Sequence, residues 1–263
     1  MDNEKGIVMV YFIAEAGINH NGSIETAKDM IKVAKAAGAD CVKFQLFNQD
    51  EVKEVWDVIK EYHIDINGMT ILRDYCYEND INFLCSAFGL ESLIQLSQIT
   101  HEVKVPSGKI VDIGYMECVG ELFKSVILST GMANKKEIHS AIHAIGRREI
   151  AILHCVSAYP LPDDECNLGA IKTLKKMFPR DLIGFSNHSE NYILDMMAVA
   201  AGAEIIEKHF TLDKRMTGPD HHMSLPPGNL IWTIKEIRQA EKIMGNGILK
   251  CEECEQPLLF RRK

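Results

Sequence analysis

Short apolar runs of strand length recur along the chain, and the segments between them carry apolar residues every three to four positions. The eight runs lie at residues 10–17, 41–47, 81–87, 102–108, 125–131, 151–160, 182–188 and 204–211. One intervening segment is "SIETAKDMIKVAKAAGAD" (23–40), which begins with Ser23, a residue type that caps helix N-termini. Strands that alternate with helices predict βα units around a parallel sheet.

Eight successive βα units predict an α/β fold of the (β/α)8 TIM barrel type. The rival is a doubly wound sheet, which normally carries a glycine-rich phosphate turn after its first strand. The turn "EAGINHNG" (15–22) has two glycines without the GxGxxG spacing, which favours the barrel. We predict a catalytic barrel over residues 1–245 that ends with a helix from Gly228 to Gly245. Residues 246–263 are expected to form an irregular C-terminal extension.

The composition argues against several classes of partner. The net charge of −8 does not favour binding to nucleic acid or to a membrane surface. The start "MDNEKGIVMVYF" is too charged for a signal peptide, and no stretch approaches the roughly 20 apolar residues of a membrane span. Most of the eight cysteines sit in apolar segments, which is typical of reduced thiols in a cytoplasmic protein. Cys251 and Cys254 form a CxxC without further ligands nearby, so we expect no metal there.

Polar residues close every apolar run, where a barrel collects its functional groups. A single such residue is usually satisfied by a loop amide, but burying so many without partners would cost several kcal/mol each. We therefore expect a site built from the strand ends: Glu15, Lys43, Gln45, Ser86, Lys104, Ser107, Thr130, His154, Ser157, Ser186, His188, Glu207 and His209.

Two neighbouring runs end in imidazole, "LIGFSNHSE" (182–190) and "EIIEKHFTL" (204–212). Side chains alternate faces along a strand, so Ser186 shares a face with His188, and Glu207 shares one with His209. The seventh and eighth strands of a barrel are adjacent, which lets both rings approach a common point. Two imidazoles with carboxylates and water nearby suit Mn²⁺, Zn²⁺ or Fe²⁺ better than Mg²⁺. The alternative is a pair of core histidines bonded to carbonyl groups.

Two lysines also close runs in this acidic chain. With the serines of the same strand ends, Lys43 and Lys104 predict a pocket for phosphate or carboxylate. The alternative is that both lysines form internal ion pairs, for instance Lys104 with Glu102 or Lys43 with Glu15.

The remaining histidines carry weaker expectations. Three lie in loops after the first and eighth runs and could line the mouth of the barrel: His20, His221 and His222. Four are expected to be solvated: His63, His101, His139 and His143.

Over residues 11–262 the chain resembles the sialic acid synthase family, enzymes that condense phosphoenolpyruvate with N-acetylmannosamine or related amino sugars. The matching stretches include "IAEAGINHNGSIETAKDMIKVAKAAGADCVKFQ", "KVPSG", "LSTGMA", "LHCVSAYPLP", "IGFSNHS" and "EKHFTLDKRMTGPDHHMS". The long first stretch and the last one are specific, and the order of the pieces also matches.

The resemblance implies roles for particular residues. His188 and His209 fall at the family's metal-ligand positions, for Mn²⁺ or else Mg²⁺, Co²⁺ or Zn²⁺, and Glu15 and Glu207 match acidic residues near the reacting carbons. The phosphoenolpyruvate positions correspond to Lys43, Lys104, Ser107, Tyr159 and Ser186, and the sugar positions to Gln45 and Asp220. Ser86 and Ser157 are further expected substrate contacts.

The implied reaction is metal-dependent condensation to a nonulosonic 2-keto sugar acid plus phosphate, carried out by a phosphoenolpyruvate-dependent transferase that forms a C–C bond. The methylene carbon of phosphoenolpyruvate attacks the sugar aldehyde, water adds at C2, and phosphate leaves by C–O cleavage. A base must reach that water, and we assign it to Glu15 rather than Glu207.

The chain departs from the family pattern at several positions. Ser157 stands where the family usually has Asn, Ser86 where Thr is common, and Lys109 in "PSGKI" where an acidic residue is typical. The segment between the second and third runs is also shorter than the family's. In the family this segment contacts the sugar, so its shortening leaves room for another aldose.

The family chain usually continues into an antifreeze-like domain that caps the partner subunit's site, whereas this sequence ends at "LLFRRK". The resemblance implies that residues 246–263 are the start of a linker or of a truncated cap domain. We expect a homodimer, with a separate cap-domain protein as a possible partner.

An alternative function is a non-catalytic or partner-dependent barrel paralogue. A synthase for phosphorylated aldoses would need a second basic cluster, and the candidates are Lys135, Lys136, Lys214 and Arg215. A metal-dependent hydrolase is disfavoured because the first strand lacks an HxH-like pair.

Overall fold

The computed structural model describes residues 9–146 and 148–262, so the charged residues 1–8 lie outside the described part of the chain. Eight strands form one closed, parallel barrel in sequence order, which confirms the predicted (β/α)8 fold. The strands are β1 (Tyr11–Gly17), β2 (Cys41–Leu46), β3 (Asn82–Ala87), β4 (Glu102–Val105), β5 (Ser125–Ser129), β6 (Glu149–Cys155), β7 (Leu182–Asn187) and β8 (Ile205–His209). Seven of the predicted runs contain one strand each, and β6 begins at Glu149, two residues before the run predicted at 151–160.

Helices connect the strands and cover the barrel. Among the described residues they are α1 (Ile24–Ala37), α2 (Trp56–Ile59), α3 (Ile66–Glu78), α4 (Leu90–Ser97), α5 (Ile113–Leu122), α6 (Lys135–Ile145), α7 (Gly169–Met177), α8 (Ile193–Ala201) and α9 (Pro227–Met244). Ser23 caps α1 as predicted, because its hydroxyl accepts a hydrogen bond from the Thr26 backbone N–H at 3.1 Å. No described helix is long and apolar enough to cross a membrane.

The C-terminal segment differs from the irregular extension that was expected. Residues Glu253–Arg261 form a 3₁₀ helix. The Glu255 carboxylate accepts a hydrogen bond from the Glu252 N–H at 2.9 Å and so closes its first turn. A domain boundary at residue 245 stays a prediction.

The register of the last strands brings the two histidine-bearing runs together. Strand β8 pairs with β7, where Ser186 lies opposite Glu207, and with β1, where Glu15 lies opposite His209. The eighth strand therefore closes on the first, as the barrel prediction requires.

The barrel interior is layered. An apolar layer fills its middle, formed by Ile13, Cys41, Leu84, Ile127, Ala151, Leu153 and Ile205. The strands' outward faces pack against the helices in a larger core, where each fully buried Leu, Ile or Phe contributes about 1.5–3 kcal/mol. Two residues beyond the apolar layer, the inward positions become polar. The polar site thus lies directly above the apolar layer, at the carboxyl end of the strands.

Candidate active site

A cavity of about 440 Å³ opens at the carboxyl end of the barrel. Twelve of the thirteen residues to which the family resemblance assigns a role line it: Glu15, Lys43, Gln45, Ser86, Lys104, Ser107, Ser157, Tyr159, Ser186, His188, Glu207 and His209. The thirteenth, Asp220, lies beside it, with its Oδ2 3.8 Å from His209 Nδ1. The structure therefore brings the predicted residues together, while their individual roles stay predictions.

Two lysines and two carboxylates form the floor of the cavity. Lys43 Nζ lies 2.9 Å from Glu15 Oε1 and 3.9 Å from Glu207 Oε1, and Lys104 Nζ lies 3.7 Å from Glu207 Oε2. Both lysines therefore form internal ion pairs, as the alternative predicted. Lys43 pairs with the expected partner Glu15, whereas Lys104 reaches across the barrel to Glu207 instead of Glu102 on its own strand.

The floor residues shift one another's ionisation. Burial would raise the pKa of Glu207, but Lys104 and Lys43 outweigh it and hold that pKa below its ordinary value. Burial lowers the pKa of Lys43, yet Glu15 and Glu207 together raise it overall. For Lys104 burial dominates, and its pKa is lowered. Glu207 is consequently a carboxylate at neutral pH.

In each floor carboxylate, one oxygen accepts a hydrogen bond from a side chain and the other oxygen accepts none from the described residues. Glu15 Oε1 accepts a hydrogen bond from Gln45 Nε2 at 2.9 Å, and Glu207 Oε1 accepts one from the Ser186 hydroxyl at 3.0 Å. The other oxygen of each carboxylate is buried and has no hydrogen-bond partner among the described residues. Because an unpaired buried acceptor costs about 1–3 kcal/mol, these oxygens are suited to a ligand or a water molecule.

The two imidazoles stand side by side over the floor, with ring centroids 5.9 Å apart. His188 Nδ1 lies 2.7 Å from the Val156 carbonyl oxygen, which can only accept, so Nδ1–H donates and Nε2 keeps its lone pair. Burial, and then His209, lowers the pKa of His188 to about 3, so the ring is neutral. Tyr159 lies over His188 with ring centroids 4.1 Å apart. His209 Nδ1 is buried without a hydrogen-bond partner in the described chain.

These features fit a metal site with two protein ligands. A neutral imidazole whose other nitrogen donates to a backbone carbonyl is the arrangement that metal-binding histidines adopt. Within residues 9–146 and 148–262, no group of three or more His, Cys, Asp or Glu side chains could hold a metal ion. Substrate or water would therefore have to complete the coordination of a cation held by His188 and His209.

Hydroxyl groups surround the lysines. Lys43 Nζ donates to Ser86 Oγ at 3.1 Å, and Lys104 Nζ donates to Ser129 Oγ at 2.7 Å. Hydroxyl and ammonium donors at such spacing are suited to the oxygens of a phosphate or a carboxylate.

A second pair of hydroxyls lies nearer the mouth, where Ser107 Oγ and Ser157 Oγ are 2.8 Å apart. Gly131 makes this approach possible, because a Cβ there would lie 2.2 Å from Ser157 Oγ. Ser157, which replaces the family's usual Asn, thus reaches the cavity with its shorter side chain.

Two strand-end predictions are wrong. Thr130 turns away from the cavity and donates to the Leu153 carbonyl at 3.1 Å. His154 also faces outward, with Nε2 2.8 Å from the Cys166 carbonyl oxygen and its ring stacked on Phe185.

Their neighbours Ser129 and Cys155 line the cavity in their place. The signal was available in the alternation of each strand. Ile127 and Leu153 point into the barrel, so the residues two further along must do so as well.

The loop histidines do not line the cavity. His20 is buried with its ring centroid 6.1 Å from that of Phe44. His221 joins two loops, with ring nitrogens 2.7 Å from Thr211 Oγ1 and 2.9 Å from Asn21 Oδ1. His222 is exposed.

The four histidines expected to be solvated fall into two groups. His101, His139 and His143 are exposed. His63 is half-buried instead, because its ring packs edge-on against Phe47 and Trp56.

The fold and the cavity define a (β/α)8 barrel with a charged, partly unsatisfied site at the carboxyl ends of its strands. The model of the NeuB family matches residues 30–249. The chain belongs to the NeuB family.

Curated relatives cover most of the chain. The N,N'-diacetyllegionaminic acid synthase of Campylobacter jejuni is 38% identical over 268 residues, which span 93% of this chain and 80% of the relative. The N-acetylneuraminate-9-phosphate synthase of Mus musculus is 32% identical over 270 residues, spanning 93% of this chain and 74% of the relative.

Solved structures also match the chain. The N-acetylneuraminic acid synthetase of Leptospira borgpetersenii, solved with citrate, matches with a TM-score of 0.92 and 34% identity, covering 97% of this chain and 93% of that one. A truncated 3-deoxy-D-arabino-heptulosonate 7-phosphate synthase from Thermotoga maritima matches with a TM-score of 0.70 at 14% identity, a likeness of fold alone.

Proposed function

We propose that the chain catalyses the metal-dependent condensation of phosphoenolpyruvate with an amino sugar or related aldose, similar to N-acetylmannosamine. The products are a nonulosonic, sialic-acid-type 2-keto sugar acid and phosphate. The observation that carries the proposal is the cavity itself, where two adjacent imidazoles face two buried lysines in a chain of the NeuB family.

Phosphoenolpyruvate carries a carboxylate and a phosphate, and the lysine side of the cavity would bind both. Lys43 and Lys104 supply charge, and the hydroxyls of Ser107, Ser157 and Ser186 supply further donors. Hydrogen bonds between ionised partners are about twice as strong as neutral ones. Because both lysines are already held by carboxylates and serines, they need little reordering when the anion binds.

His188 and His209 would hold a divalent cation. We propose Mn²⁺ first, because Mn²⁺ accepts imidazole ligands more readily than Mg²⁺ does. When bound, such a cation supplies Lewis-acid polarisation of the acceptor's aldehyde oxygen. The histidine side of the cavity therefore orients the aldehyde, and the lysine side orients the enol phosphate against it.

The reaction requires a proton acceptor for the attacking water. A C–C bond forms between the methylene carbon and the aldehyde carbon, the water oxygen bonds to C2, and the C–O bond to phosphate breaks. Glu207 is a weak base because its pKa is held low by Lys104 and Lys43 against the effect of burial. We therefore assign the base to Glu15, whose Oε2 has no hydrogen-bond partner among the described residues.

Gln45 and Asp220 are the proposed contacts to the sugar. Gln45 donates a hydrogen bond to Glu15, and Asp220 lies beside His209. Each of the two residues therefore lies next to a group that is proposed to act in the reaction. A homodimer and a separate cap-domain protein belong to the same proposal and rest on the family resemblance. A cytoplasmic setting belongs to it as well and rests on the cysteines in apolar segments.

The test is phosphate release from phosphoenolpyruvate with Mn²⁺, N-acetylmannosamine and a panel of other aldoses. We expect release that depends on both metal and acceptor. Glu15→Gln should abolish it while retaining phosphoenolpyruvate binding in a thermal-shift assay. Binding without release for every acceptor tried would instead support the non-catalytic or partner-dependent paralogue.

A further inference from the structure

Three lysines line the cavity, and one of them differs from the other two. Lys43 and Lys104 are buried on the floor and have carboxylates within 4.0 Å. Lys109 is half-buried at the rim, and no acidic side chain of the described residues lies within 4.0 Å of its Nζ. The rim therefore carries a positive charge that the protein leaves without a counter-ion.

The side chain of Lys109 lies against Tyr115 of α5. It ends the 3₁₀ turn Ser107–Lys109 after β4 and places Nζ 5.8 Å from the centroid of the Tyr115 ring. That ring is held in place because its hydroxyl donates to the Ala87 carbonyl, at the end of β3, at 2.6 Å. Ser107, by contrast, turns towards Ser157 beyond β6.

Barrel topology places Lys109 across the mouth from the histidines. In a closed barrel of order β1 to β8, strands β3 and β4 face β7 and β8. Lys104 of β4 demonstrates this by approaching Glu207 of β8 through the interior. An acceptor whose aldehyde lies at His188 and His209, and which passes above the phosphoenolpyruvate on the floor lysines, would bring its far end to the rim between β3 and β4.

We propose that Lys109 selects an acceptor that carries an anionic group, a phosphate or a carboxylate, at the carbon farthest from its aldehyde. This inference rests on the proposed function. An unpaired ammonium gains a charge-assisted hydrogen bond from such a group, and it gains much less from a neutral hydroxymethyl. The other lysines and the arginine that could have served a phosphorylated sugar do not line the cavity: Lys135, Lys136, Lys214 and Arg215.

The experiment compares three acceptors that differ only at C6: N-acetylmannosamine, its 6-phosphate and its 6-carboxylate, N-acetylmannosaminuronic acid. Binding of each is measured by calorimetry on the full chain with phosphoenolpyruvate and Mn²⁺ present, and kcat/KM is measured from phosphate release. The variants are Lys109→Met, Lys109→Arg and Lys109→Glu. Lys136→Met, an exposed lysine outside the cavity, is the matched control.

We expect at least one anionic acceptor to bind about tenfold more tightly than N-acetylmannosamine, and the phosphate and carboxylate arms identify which group it is. Lys109→Met should remove the preference, Lys109→Arg should retain most of it, and Lys109→Glu should reverse it. The KM for phosphoenolpyruvate should move less than twofold in Lys109→Met.

Two results would overturn the inference. One is a wild-type protein that binds the neutral acceptor as tightly as both anionic ones. The other is a Lys109→Met variant that loses phosphoenolpyruvate affinity and keeps its acceptor preference, which would assign the charge to the enol phosphate. A preserved preference in binding without any turnover would count against the proposed function alone, whereas turnover without a preference would count against this inference alone.

Discussion

The inner and outer faces of β7 and β8 carry equally buried polar residues that are arranged in different ways. Glu207 points into the cavity, and its neighbour Lys208 points outward beneath α8, with exposed fractions of 4% and 1%. Burial alone therefore does not separate the two faces. The difference is in what each polar atom touches.

On the outer face, protein groups satisfy one another. Lys208 Nζ donates to the Ser189 carbonyl, and Asn187 Nδ2 donates to Asp195 Oδ1 at 2.8 Å. Asn187 Oδ1 accepts from the Ser189 N–H at 2.8 Å, and the Ser189 hydroxyl donates to Asp163 at 2.5 Å. This outer network links the loop after β7 to the loop after β6. It therefore fixes the loops that hold His188 and Tyr159.

On the inner face, several buried polar atoms make no hydrogen bond to the described residues, although Lys104 Nζ lies 3.7 Å from Glu207 Oε2 and Asp220 Oδ2 lies 3.8 Å from His209 Nδ1. They are Glu207 Oε2, Glu15 Oε2 and His209 Nδ1 among the described residues. Asp195 Oδ2 on the outer face also lacks a hydrogen bond, but Asp195 lies near the charge of Lys208 and does not line the cavity of the site. The comparison indicates that buried polar atoms without hydrogen bonds mark a functional site when they share a cavity. Buried polar atoms that hydrogen-bond to one another mark the structure that holds the site in place.

The largest expected effect separates activity from stability on the inner face. His209→Ala should reduce phosphate release about 10³-fold or more, because Lewis-acid assistance supplies several kcal/mol of transition-state stabilisation. Its unfolding midpoint should stay close to wild type, since His209 Nδ1 makes no hydrogen bond that folding depends on. His222 is an exposed histidine in the segment between β8 and α9, and His222→Ala is the control for both measurements. A variant that retained activity would exclude His209 as a ligand.

The opposite pattern is expected on the outer face. Lys208→Met leaves Asp195 without its nearby charge and should lower the free energy of unfolding by about 3–5 kcal/mol in a denaturant titration. Replacing both residues, Lys208→Met with Asp195→Leu, should recover much of this loss. Lys214→Met, whose exposed side chain pairs with Glu190, should have little effect. If Lys208→Met unfolded no more easily than Lys214→Met, the outer network would not be structural.

The sequence pattern was sufficient for the architecture because strands of a parallel barrel are buried on both faces and read as continuous apolar runs. Alternation also predicted correctly that Ser186 and Glu207 face the cavity with the histidines that follow them. At the ends of β5 and β6 the alternation has to be counted from the apolar layer below. Counted from Ile127 and Leu153, it predicts that Ser129 and Cys155 point inward, rather than Thr130 and His154.

Other features of the site depend on packing that no local pattern contains. Lys104 and Glu207 lie on strands that are far apart in the sequence and meet only because the barrel closes. The Val156 carbonyl that selects the tautomer of His188 comes from a different loop. The direction of Lys109 likewise depends on Tyr115, which α5 brings under the rim.

The pH dependence of stability should distinguish the outer network from the floor of the cavity. Burial raises the pKa of Asp195 from 3.8 to about 6, although Lys208 and Asn187 oppose the shift. The folded state therefore binds a proton more tightly than the unfolded state, so this group favours folding below about pH 4 and loses that contribution as the pH rises through 6. Two pKa units correspond to about 3 kcal/mol.

Asp195→Asn cannot titrate, so it isolates this contribution. The free energy of unfolding of Asp195→Asn minus that of wild type should rise by up to about 3 kcal/mol between pH 4 and pH 7. Denaturant titrations across this range measure the difference. A difference that does not vary with pH would mean that Asp195 has an ordinary pKa in the folded protein.

The smallest of these effects concerns ligand binding on the inner face. Lys104→Met should weaken phosphoenolpyruvate binding about 10- to 100-fold, the loss expected for one hydrogen bond to a charged group, as measured by calorimetry. Stability should fall less than in Lys208→Met, because Glu207 keeps Lys43 within 3.9 Å and the Ser186 hydroxyl at 3.0 Å. Lys136→Met serves as the control for the lost charge. Unchanged phosphoenolpyruvate affinity in Lys104→Met would mean that the floor lysines are structural, and the inner face would then resemble the outer one.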